Sequence, residues 1–322
     1  MIGGAVALAV AAATGPLARV LGGRLGAMDN PRGGLKPHPQ PVSYLGGLAV
    51  AAGVAAGILA EGWPFPWPLP AALFGLAVLG LADDTIGVPP AGRLAAQVGF
   101  GVLLASQGLR ADPFEQQLIA WIVTVVVFAG AVNAVNMVDG MDGLASSATA
   151  LSALGLALVA GLQDRSAVLP LILAGSTIGF LPYNLPPARL FLGNAGSYLA
   201  GGGLAVAILL LSRNPATFVG AGTCLGLFGL DLLASMVRRA IRREALFQPD
   251  RDHLYDQLLR RGFSVREVLA MCAGLHLILV GIGVMLTTFG TAGAMIVGAL
   301  TWLLALGLLG ATGFLSREVD LR

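Results

Sequence analysis

Charged side chains are scarce in this sequence. Aspartate, glutamate, lysine and arginine make up 11% of its 322 residues, whereas hydrophobic residues make up 56%. Soluble globular domains typically carry about 25% charged residues. The mean hydropathy of +0.82 also lies far above the usual range of soluble globular domains. This composition excludes a soluble globular protein and predicts an all-α, polytopic membrane protein.

Cysteine is almost absent, and the two that occur do not form a pattern. Cys224 and Cys272 lie inside apolar runs, where a cysteine is typically a small core residue and not part of a disulfide or metal pair. The first span also lacks a basic n-region and a cleavage site, so we expect Met1–Gly22 to be retained as a helix. Exact repeats, low-complexity stretches and soluble segments are missing, which predicts one domain over 1–322.

Windows of about 15–22 apolar residues predict eleven membrane spans. These are 1–22, 43–60, 68–82, 93–109, 118–136, 143–161, 167–183, 197–211, 217–234, 266–288 and 290–314. The connections alternate between short, plain loops and longer, polar ones. Of nineteen lysines and arginines, only Arg110, Arg165 and Arg213 fall in the plain loops. The positive-inside rule therefore predicts that the polar loops are cytoplasmic and the N-terminus external.

Asn133, Asn136, Asp139 and Asp142 follow one another at intervals of three, at the end of an apolar segment. Ionisable groups at this depth usually serve a function. On a helix, each step of three turns by about 60°, so that neighbours such as Asn136 and Asp139 share a face. The alternative is a polar turn between two spans, although a turn does not require four such side chains.

The third span ends in two adjacent acids, Asp83 and Asp84. Two unpaired carboxylates would repel each other, and a divalent cation or a shared proton would relieve the repulsion. A solvated helix cap is the alternative. Further along the chain, backbone N–H groups of the glycine-containing loop around Gly193 can receive phosphate, although tight helix packing explains its glycines equally well.

Two basic stretches complete the set of polar loops. Lys36 and His38 stand among prolines in the first loop and suit the phosphate of an anionic lipid or nucleotide. The alternative for Lys36 is a juxtamembrane charge that only sets topology. Arg251 and His253 are flanked by acids in the last loop, a pattern that indicates a substrate clamp.

These stretches, in this order, resemble the motifs of one family. They are Lys36-Pro-His38 with Gly46-Gly47, the Asp83-Asp84 pair, Asn133-x-x-Asn136-x-x-Asp139-Gly-x-Asp142-Gly, Phe191-Leu-Gly193-x-Ala-Gly196-Ser197 and Asp250-Arg251-x-His253. The chain resembles the polyprenyl-phosphate N-acetylhexosamine-1-phosphate transferases, the group of the WecA-like and MraY-like enzymes. The resemblance implies ten or eleven helices, a site at the cytoplasmic helix ends, and transfer of a sugar-1-phosphate from a UDP-sugar to polyprenyl phosphate with release of UMP.

The resemblance also implies roles for individual residues. Asp83 and Asp84 would lie beside the lipid phosphate and the metal. Asp139, Asp142 and His253 would complete the catalytic set. The predicted metal ligands are Asn136, Asn194 and Asp83, holding Mg²⁺ or, as the alternative ion, Mn²⁺. The predicted substrate-binding residues are Lys36, His38, Asn133, Asp139, Asp142, Gly193, Arg251 and His253.

Two positions depart from the family pattern. Asn194 stands where the family has an aspartate metal ligand, and a carboxamide oxygen carries no charge, so metal affinity should fall. His253-Leu-Tyr255-Asp256 replaces His-x-His-His. These departures leave two expectations: a divergent enzyme with altered metal or sugar dependence, or a catalytically weakened paralogue that binds without turnover. The first-loop stretch from Pro41 to Gly47 favours a simple donor, UDP-GlcNAc.

The predicted partners are a UDP-sugar, a polyprenyl phosphate such as undecaprenyl phosphate, and the membrane, with a homodimer as a further expectation and no nucleic acid. The predicted location is the bacterial inner membrane, with the site facing the cytoplasm, in cell-wall, lipopolysaccharide or glycolipid biosynthesis. A transporter is the third alternative, but transporters place polar residues near the midplane, whereas here they gather on one side.

Overall fold

The computed structural model describes residues 2–29, 41–243 and 252–315. Within them lie thirteen helices and one small hairpin, which confirms the all-α class. The helices are α1 (Ile2–Leu25), α2 (Gly46–Ala60), α3 (Pro68–Ile86), α4 (Pro90–Ser106), α5 (Gln117–Val138), α6 (Leu144–Leu162), α7 (Val168–Asn184), α8 (Gly193–Leu211), α9 (Pro215–Thr223), α10 (Leu227–Arg242), α11 (Leu254–Arg260), α12 (Val265–Leu286) and α13 (Thr291–Ala311). The strands are β1 (Met28–Asp29) and β2 (Val42–Ser43).

Helix α8 lies at the centre of the bundle. It packs against α2, α3, α5, α6, α7 and α9. Every residue from Ala195 to Leu209 is buried, although the helix is apolar enough to cross a membrane. Because protein surrounds this helix, the polar side chains of its first turns point at other helices and not at lipid.

Seven helices of the described chain are long and apolar enough to span a membrane: α1, α3, α5, α6, α8, α12 and α13. The pair α9–α10 makes an eighth if it counts as one broken span. Each of the eleven predicted spans coincides with a helix or with this pair. The polytopic architecture is therefore confirmed, whereas the count of eleven stays a prediction, because α2, α4 and α7 have only 15 to 17 residues.

The predicted span 217–234 is wrong as a continuous helix. Helices α9 and α10 meet at an angle of 86°, and Gly226 between them has a φ of 45°. His276 of α12 satisfies the broken end, since its Nδ1 accepts from the N–H of Leu227 at 2.9 Å. Its Nε2 lies 3.0 Å from Ser152 Oγ, and that hydroxyl donates to the carbonyl of Cys224. Tertiary contacts thus stabilise a helix break that the local sequence does not predict.

The two paired strands tie the end of α1 and the start of α2 to the segment before α8. Strands β1 and β2 pair antiparallel, and the N–H of Phe191 donates to the carbonyl of Ser43 at 2.8 Å. The N–H of Gly46 in turn donates to the carbonyl of Phe191 at 3.0 Å. Two-residue strands show no alternation in sequence, so they were not predicted. Their effect is to bring the start of α2 beside the start of α8.

Close packing of α2 on α8 requires glycine at position 47. A Cβ added to Gly47 would overlap the backbone nitrogen of Gly196 and lie 2.8 Å from the Cβ of Ala195. We expect Gly47→Ala to destabilise the fold by about 1–3 kcal/mol, as overpacking does, despite the better helix propensity of alanine. Thermal unfolding in detergent measures this change.

Gly99→Ala is the matched control, because a Cβ at Gly99 of α4 meets nothing within 4 Å. It should leave the unfolding midpoint unchanged or raise it slightly. Equal midpoints for the two variants would show that α2 and α8 are not in the close contact described.

Candidate active site

Three of the predicted polar stretches meet at one end of the bundle. Helices α3 and α5 end there, and α4 and α8 begin there, so four chain segments bring polar side chains together. Hydrogen bonds join Asp83 of α3, Asn136 of α5 and Asn194 of α8 directly. The predicted convergence is therefore present for Asp83, Asn136 and Asn194.

Asp83 is the hub of this cluster. Its Oδ1 accepts from the N–H of Val88 at 2.9 Å. Its Oδ2 accepts from Arg93 Nη1 at 2.9 Å, Asn194 Nδ2 at 3.0 Å and Tyr198 Oη at 2.7 Å. The side chain is only 7% exposed. One carboxylate thus ties α3, α4 and α8 together and is neutralised by Arg93.

Asp84 binds the N-terminus of α8. Its Oδ1 accepts from the N–H of Asn194 at 3.1 Å, and its Oδ2 accepts from the N–H of Ala195 at 3.3 Å. A helix N-terminus favours a negative charge at this position. The expectation that Asp83 and Asp84 are unpaired is therefore wrong, because each has its own compensating donors. Two of the N–H groups in the loop that was expected to receive phosphate, those of Asn194 and Ala195, are occupied by Asp84.

A chain of amides continues from Asp83 to α5. Asn136 Nδ2 donates to Asn194 Oδ1 at 2.7 Å and lies 3.1 Å from Ser197 Oγ. The amide group of Asn194 donates onward to Asp83. Each amide in this chain is oriented by the next.

The three residues predicted to hold Mg²⁺ are adjacent, but their donor set does not fit the ion as arranged. Mg²⁺ takes oxygen ligands that carry or direct negative charge to it. Here Asp83 Oδ2 already accepts three hydrogen bonds, and Asn194 Oδ1 faces the amide hydrogens of Asn136. Within the described residues, no group of three or more His, Cys, Asp or Glu side chains could hold a metal. Dependence on Mg²⁺ stays a prediction.

Asn133 is not brought to this cluster. Its Nδ2 donates to Gln97 Oε1 at 2.5 Å and to the carbonyl of Ala129 at 2.8 Å. Asn133 lies three residues before Asn136 and therefore about 4.5 Å further from the end of α5, where α4 is the neighbouring helix. Asn133 therefore faces α4, whereas Asn136 faces α8. A role for Asn133 in holding the nucleotide stays a prediction.

Asp139 and Asp142 lie in the turn after α5. Asp142 Oδ2 accepts from the N–H of Ala188 at 2.8 Å and so anchors the loop before α8. Burial raises the pKa of the Asp139 carboxyl well above its usual range, and the charge of Asp84 raises it further. The Asp139 carboxyl therefore holds a proton more readily than a solvated aspartate does.

The backbone conformation at position 193 requires glycine. Its φ is 69°, and an added Cβ would overlap the carbonyl oxygen of Tyr44 and lie 2.9 Å from Asp84 Oδ2. Only glycine satisfies both conditions. The predicted substrate role of Gly193 stays a prediction, but its position beside Asp84 places it in the cluster.

A second pair of groups lies next to the cluster. His253 Nδ1 lies 2.6 Å from Asp231 Oδ2, and Asp231 Oδ1 accepts from the N–H of Leu254 at 2.9 Å. The side chains are 8% and 1% exposed, respectively. Sequence reasoning selected His253 but not Asp231. The signal was available, since Asp231 is a lone acid within an apolar span.

Tyr255 connects this pair to the turn after α5. Its ring stacks on His253, with centroids 5.6 Å apart and planes 8° from parallel. Its hydroxyl donates to the carbonyl of Met137 at 3.3 Å, and it lies where a Cβ on Gly140 would stand. His253 is therefore held beside the Asn136–Asp139 segment, at the same end of the bundle as Asp83.

Sequence reasoning also missed Arg93 and Tyr198, the partners of Asp83. Arg93 lies in the first turn of α4, and Tyr198 lies within the apolar window of α8. Nothing in their local sequence distinguishes them from an interfacial charge and a core aromatic. Lys36, His38 and Arg251, which were predicted to bind substrate, lie outside the described residues.

Comparison with known proteins shows which proteins this chain is similar to. A profile described as "Glycosyl transferase family 4" matches residues 67–212. The chain is 30% identical over 317 residues to a "Decaprenyl-phosphate N-acetylglucosaminephosphotransferase" of Mycobacterium tuberculosis, covering 83% of this chain and 77% of that protein. It is 28% identical over 268 residues to a "Probable undecaprenyl-phosphate N-acetylglucosaminyl 1-phosphate transferase" of Bacillus subtilis, covering 78% and 75%. An "Undecaprenyl-phosphate alpha-N-acetylglucosaminyl 1-phosphate transferase" of Yersinia pestis is 30% identical, covering 83% and 79%.

Proposed function

This chain belongs to glycosyl transferase family 4, the family of polyprenyl-phosphate sugar-1-phosphate transferases, and on that premise we propose that it transfers N-acetylglucosamine-1-phosphate from UDP-GlcNAc to a polyprenyl phosphate. The products are UMP and a polyprenyl-pyrophosphate sugar. The observation that carries the proposal is the hydrogen-bonded cluster of Asp83, Asn136 and Asn194, assembled from three separate motifs at one end of the bundle.

The chemistry is the exchange of one phosphoanhydride for another. An oxygen of the lipid phosphate attacks the phosphorus that bears the sugar, and the bond to UMP breaks. In phosphoryl transfer the protein mainly positions the reactants and neutralises charge. Because an anhydride is broken and an anhydride is formed, little net driving force follows and the step should be reversible.

Among the residues that the structure describes, Arg93 is well placed to neutralise phosphate charge. Its guanidinium uses Nη1 to bind Asp83, and its side chain is 31% exposed at the rim of the cluster. A guanidinium has five N–H donors, so groups remain for a second oxyanion. Asp83, Tyr198 and Asn194 would fix the direction in which Arg93 points.

Asp139, Asp142 and His253 would surround the sugar and pyrophosphate from the opposite side. The stacking of His253 on Tyr255 supports this assignment, since it brings the imidazole beside the turn that carries both acids. Lys36, His38 and Arg251 would add positive charge to the same site. Lys36 and His38 follow β1 in the chain, and Arg251 immediately precedes the described segment that begins at Asp252.

The protein is a multi-pass membrane protein, and we further propose the bacterial inner membrane with the site facing the cytoplasm. The distribution of lysine and arginine supports this orientation. It also places the site where nucleotide sugars are available. A homodimer stays a prediction. The weakened-paralogue alternative is not favoured, because the relatives are named as transferases.

Release of UMP by purified protein tests the proposal. Protein in detergent is incubated with Mg²⁺, undecaprenyl phosphate and each of a panel of UDP-sugars. We expect UMP with UDP-GlcNAc and none without the lipid phosphate. Folded protein that binds UDP-GlcNAc but releases no UMP with any donor would refute transfer and restore the non-catalytic alternative. Accumulation of substrate in sealed vesicles would instead indicate a transporter.

A further inference from the structure

Asp231 is a buried acid outside the cluster of Asp83. It lies in α10, shortly after the break at Gly226, and its side chain is 1% exposed. Burying a carboxylate is costly unless both oxygens are hydrogen-bonded. Asp231 meets this requirement through His253 Nδ1 and the N–H of Leu254. Both of these partners belong to the segment that carries the predicted substrate clamp.

The two hydrogen bonds fix both the imidazole and the backbone that carries it. One oxygen of Asp231 meets the ring, while the other holds the peptide N–H of the next residue. The side chain of His253 is therefore restrained about its own torsions, and the start of α11 is tied to α10 through Asp231. Asp231 thereby helps to set the position of the ring relative to the rest of the site.

The contact also decides which nitrogen carries the proton. An ionised carboxylate only accepts hydrogen bonds, so His253 Nδ1 must be protonated whether the ring is neutral or charged. The chemical state that can vary is then that of Nε2. The Tyr255 ring covers one face of the imidazole, which restrains it in a second direction.

We propose that Asp231 is a positioning residue of the transfer site, which holds His253 in the Nδ1–H form and turns Nε2 toward the pyrophosphate of the donor. The catalytic part of this inference rests on the proposed function. Its structural part, the tautomer and orientation of His253, does not depend on turnover and is measured separately.

The chain is well suited to a direct test, because it has only three histidines. Protein labelled with ¹⁵N-histidine gives one pair of ring signals each for His38, His253 and His276. Single substitutions to glutamine assign them. We expect a neutral His253 to show Nδ1 protonated. His276 is an internal control with the opposite tautomer. Its Nδ1 accepts from the N–H of Leu227, so its proton lies on Nε2.

The test variant is Asp231→Asn, which keeps the shape but offers an amide donor. We expect the His253 signals to move to the other tautomer or to a mixture, while those of His276 stay in place. We expect kcat for UMP release to fall by about 10²-fold, the lower end of what a positioned acid or base contributes, with a smaller change in KM. Asp231→Glu retains the carboxylate, so His253 should keep its Nδ1–H tautomer and kcat should fall less than in Asp231→Asn. If Asp231→Asn does not fold, Asp231→Glu is used for the same two measurements.

Unchanged His253 signals in Asp231→Asn would overturn the inference. So would a shifted tautomer with an unchanged kcat, because Asp231 would then have a structural role only. In a His253→Gln background, Asp231→Asn should cause no further loss; an additive loss would mean that Asp231 does not act through His253. If the wild type releases no UMP, the proposed function fails, and the ring signals still decide whether Asp231 sets the tautomer.

Discussion

Asp83→Asn is expected to lower UMP release by about 10³-fold. Asp83 accepts four hydrogen bonds from α4, α8 and the turn between α3 and α4. An asparagine offers one acceptor oxygen and turns an amide donor toward Arg93 or Asn194. The charge of Arg93 would lose its counter-ion and its direction, and enzymes accelerate phosphoryl transfer mainly by placing such charges accurately.

The matched control is Asp112→Asn. Asp112 also pairs with an arginine, Arg213, but it lies between α4 and α5 at the opposite end of the bundle from Asp83. An exposed ion pair contributes about 0–1 kcal/mol, so this variant should keep nearly full activity. UMP release by the two variants is compared at a temperature at which both are folded. More than a tenth of wild-type activity in Asp83→Asn would contradict the assigned role.

Asn194→Asp is expected to tighten the binding of a divalent cation at the site. Asn194 Nδ2 now donates to Asp83 Oδ2 at 3.0 Å, and a carboxylate in its place would face Asp83 with like charge. Unit charges about 4 Å apart repel by about 4 kcal/mol at an effective dielectric constant of 20. A divalent cation between the two acids would relieve this repulsion and provide the charged ligand that Asn194 lacks.

Two titrations with Mg²⁺ measure this effect. In EDTA, we expect Asn194→Asp to unfold at a lower temperature than the wild type, and its midpoint should rise with added Mg²⁺. Half-maximal UMP release should need about tenfold less Mg²⁺ than in the wild type. Asn214→Asp is the control, because aspartate also caps a helix N-terminus and α9 starts at the other end of the bundle. Identical metal titrations for Asn194→Asp and wild type would mean that position 194 is not a ligand position.

Much of the architecture could be predicted because it follows from short-range patterns. Apolar windows located the helices, and the acids and amides at their ends, such as Asp83 and Asn136, located the site. The antiparallel course of the chain then required these ends to meet. Polar and ionisable side chains are costly in hydrocarbon, so they are rare within apolar segments. The polar residues at the ends of these segments therefore stand out in the sequence.

The partners of these residues could not be predicted, because they depend on tertiary contacts. Arg93 and Tyr198 reach Asp83 from different helices, and neither has a local signature. The break before Leu227 depends on His276, which is 49 residues distant in sequence. Asp231 was the exception, since an acid in an apolar span is a signal in itself. Because a polar loop follows Asp231 closely in the sequence, the residue is easily assigned to that loop.

The most direct test of the account is isotope exchange between UMP and UDP-GlcNAc. Purified protein is given UDP-GlcNAc, labelled UMP and polyprenyl phosphate, and the label in UDP-GlcNAc is followed with time. Reversible transfer through a polyprenyl-pyrophosphate sugar predicts exchange that requires the lipid phosphate and disappears in Asp83→Asn. Exchange that persists without lipid, or none at all from folded protein that binds both nucleotides, would contradict the account.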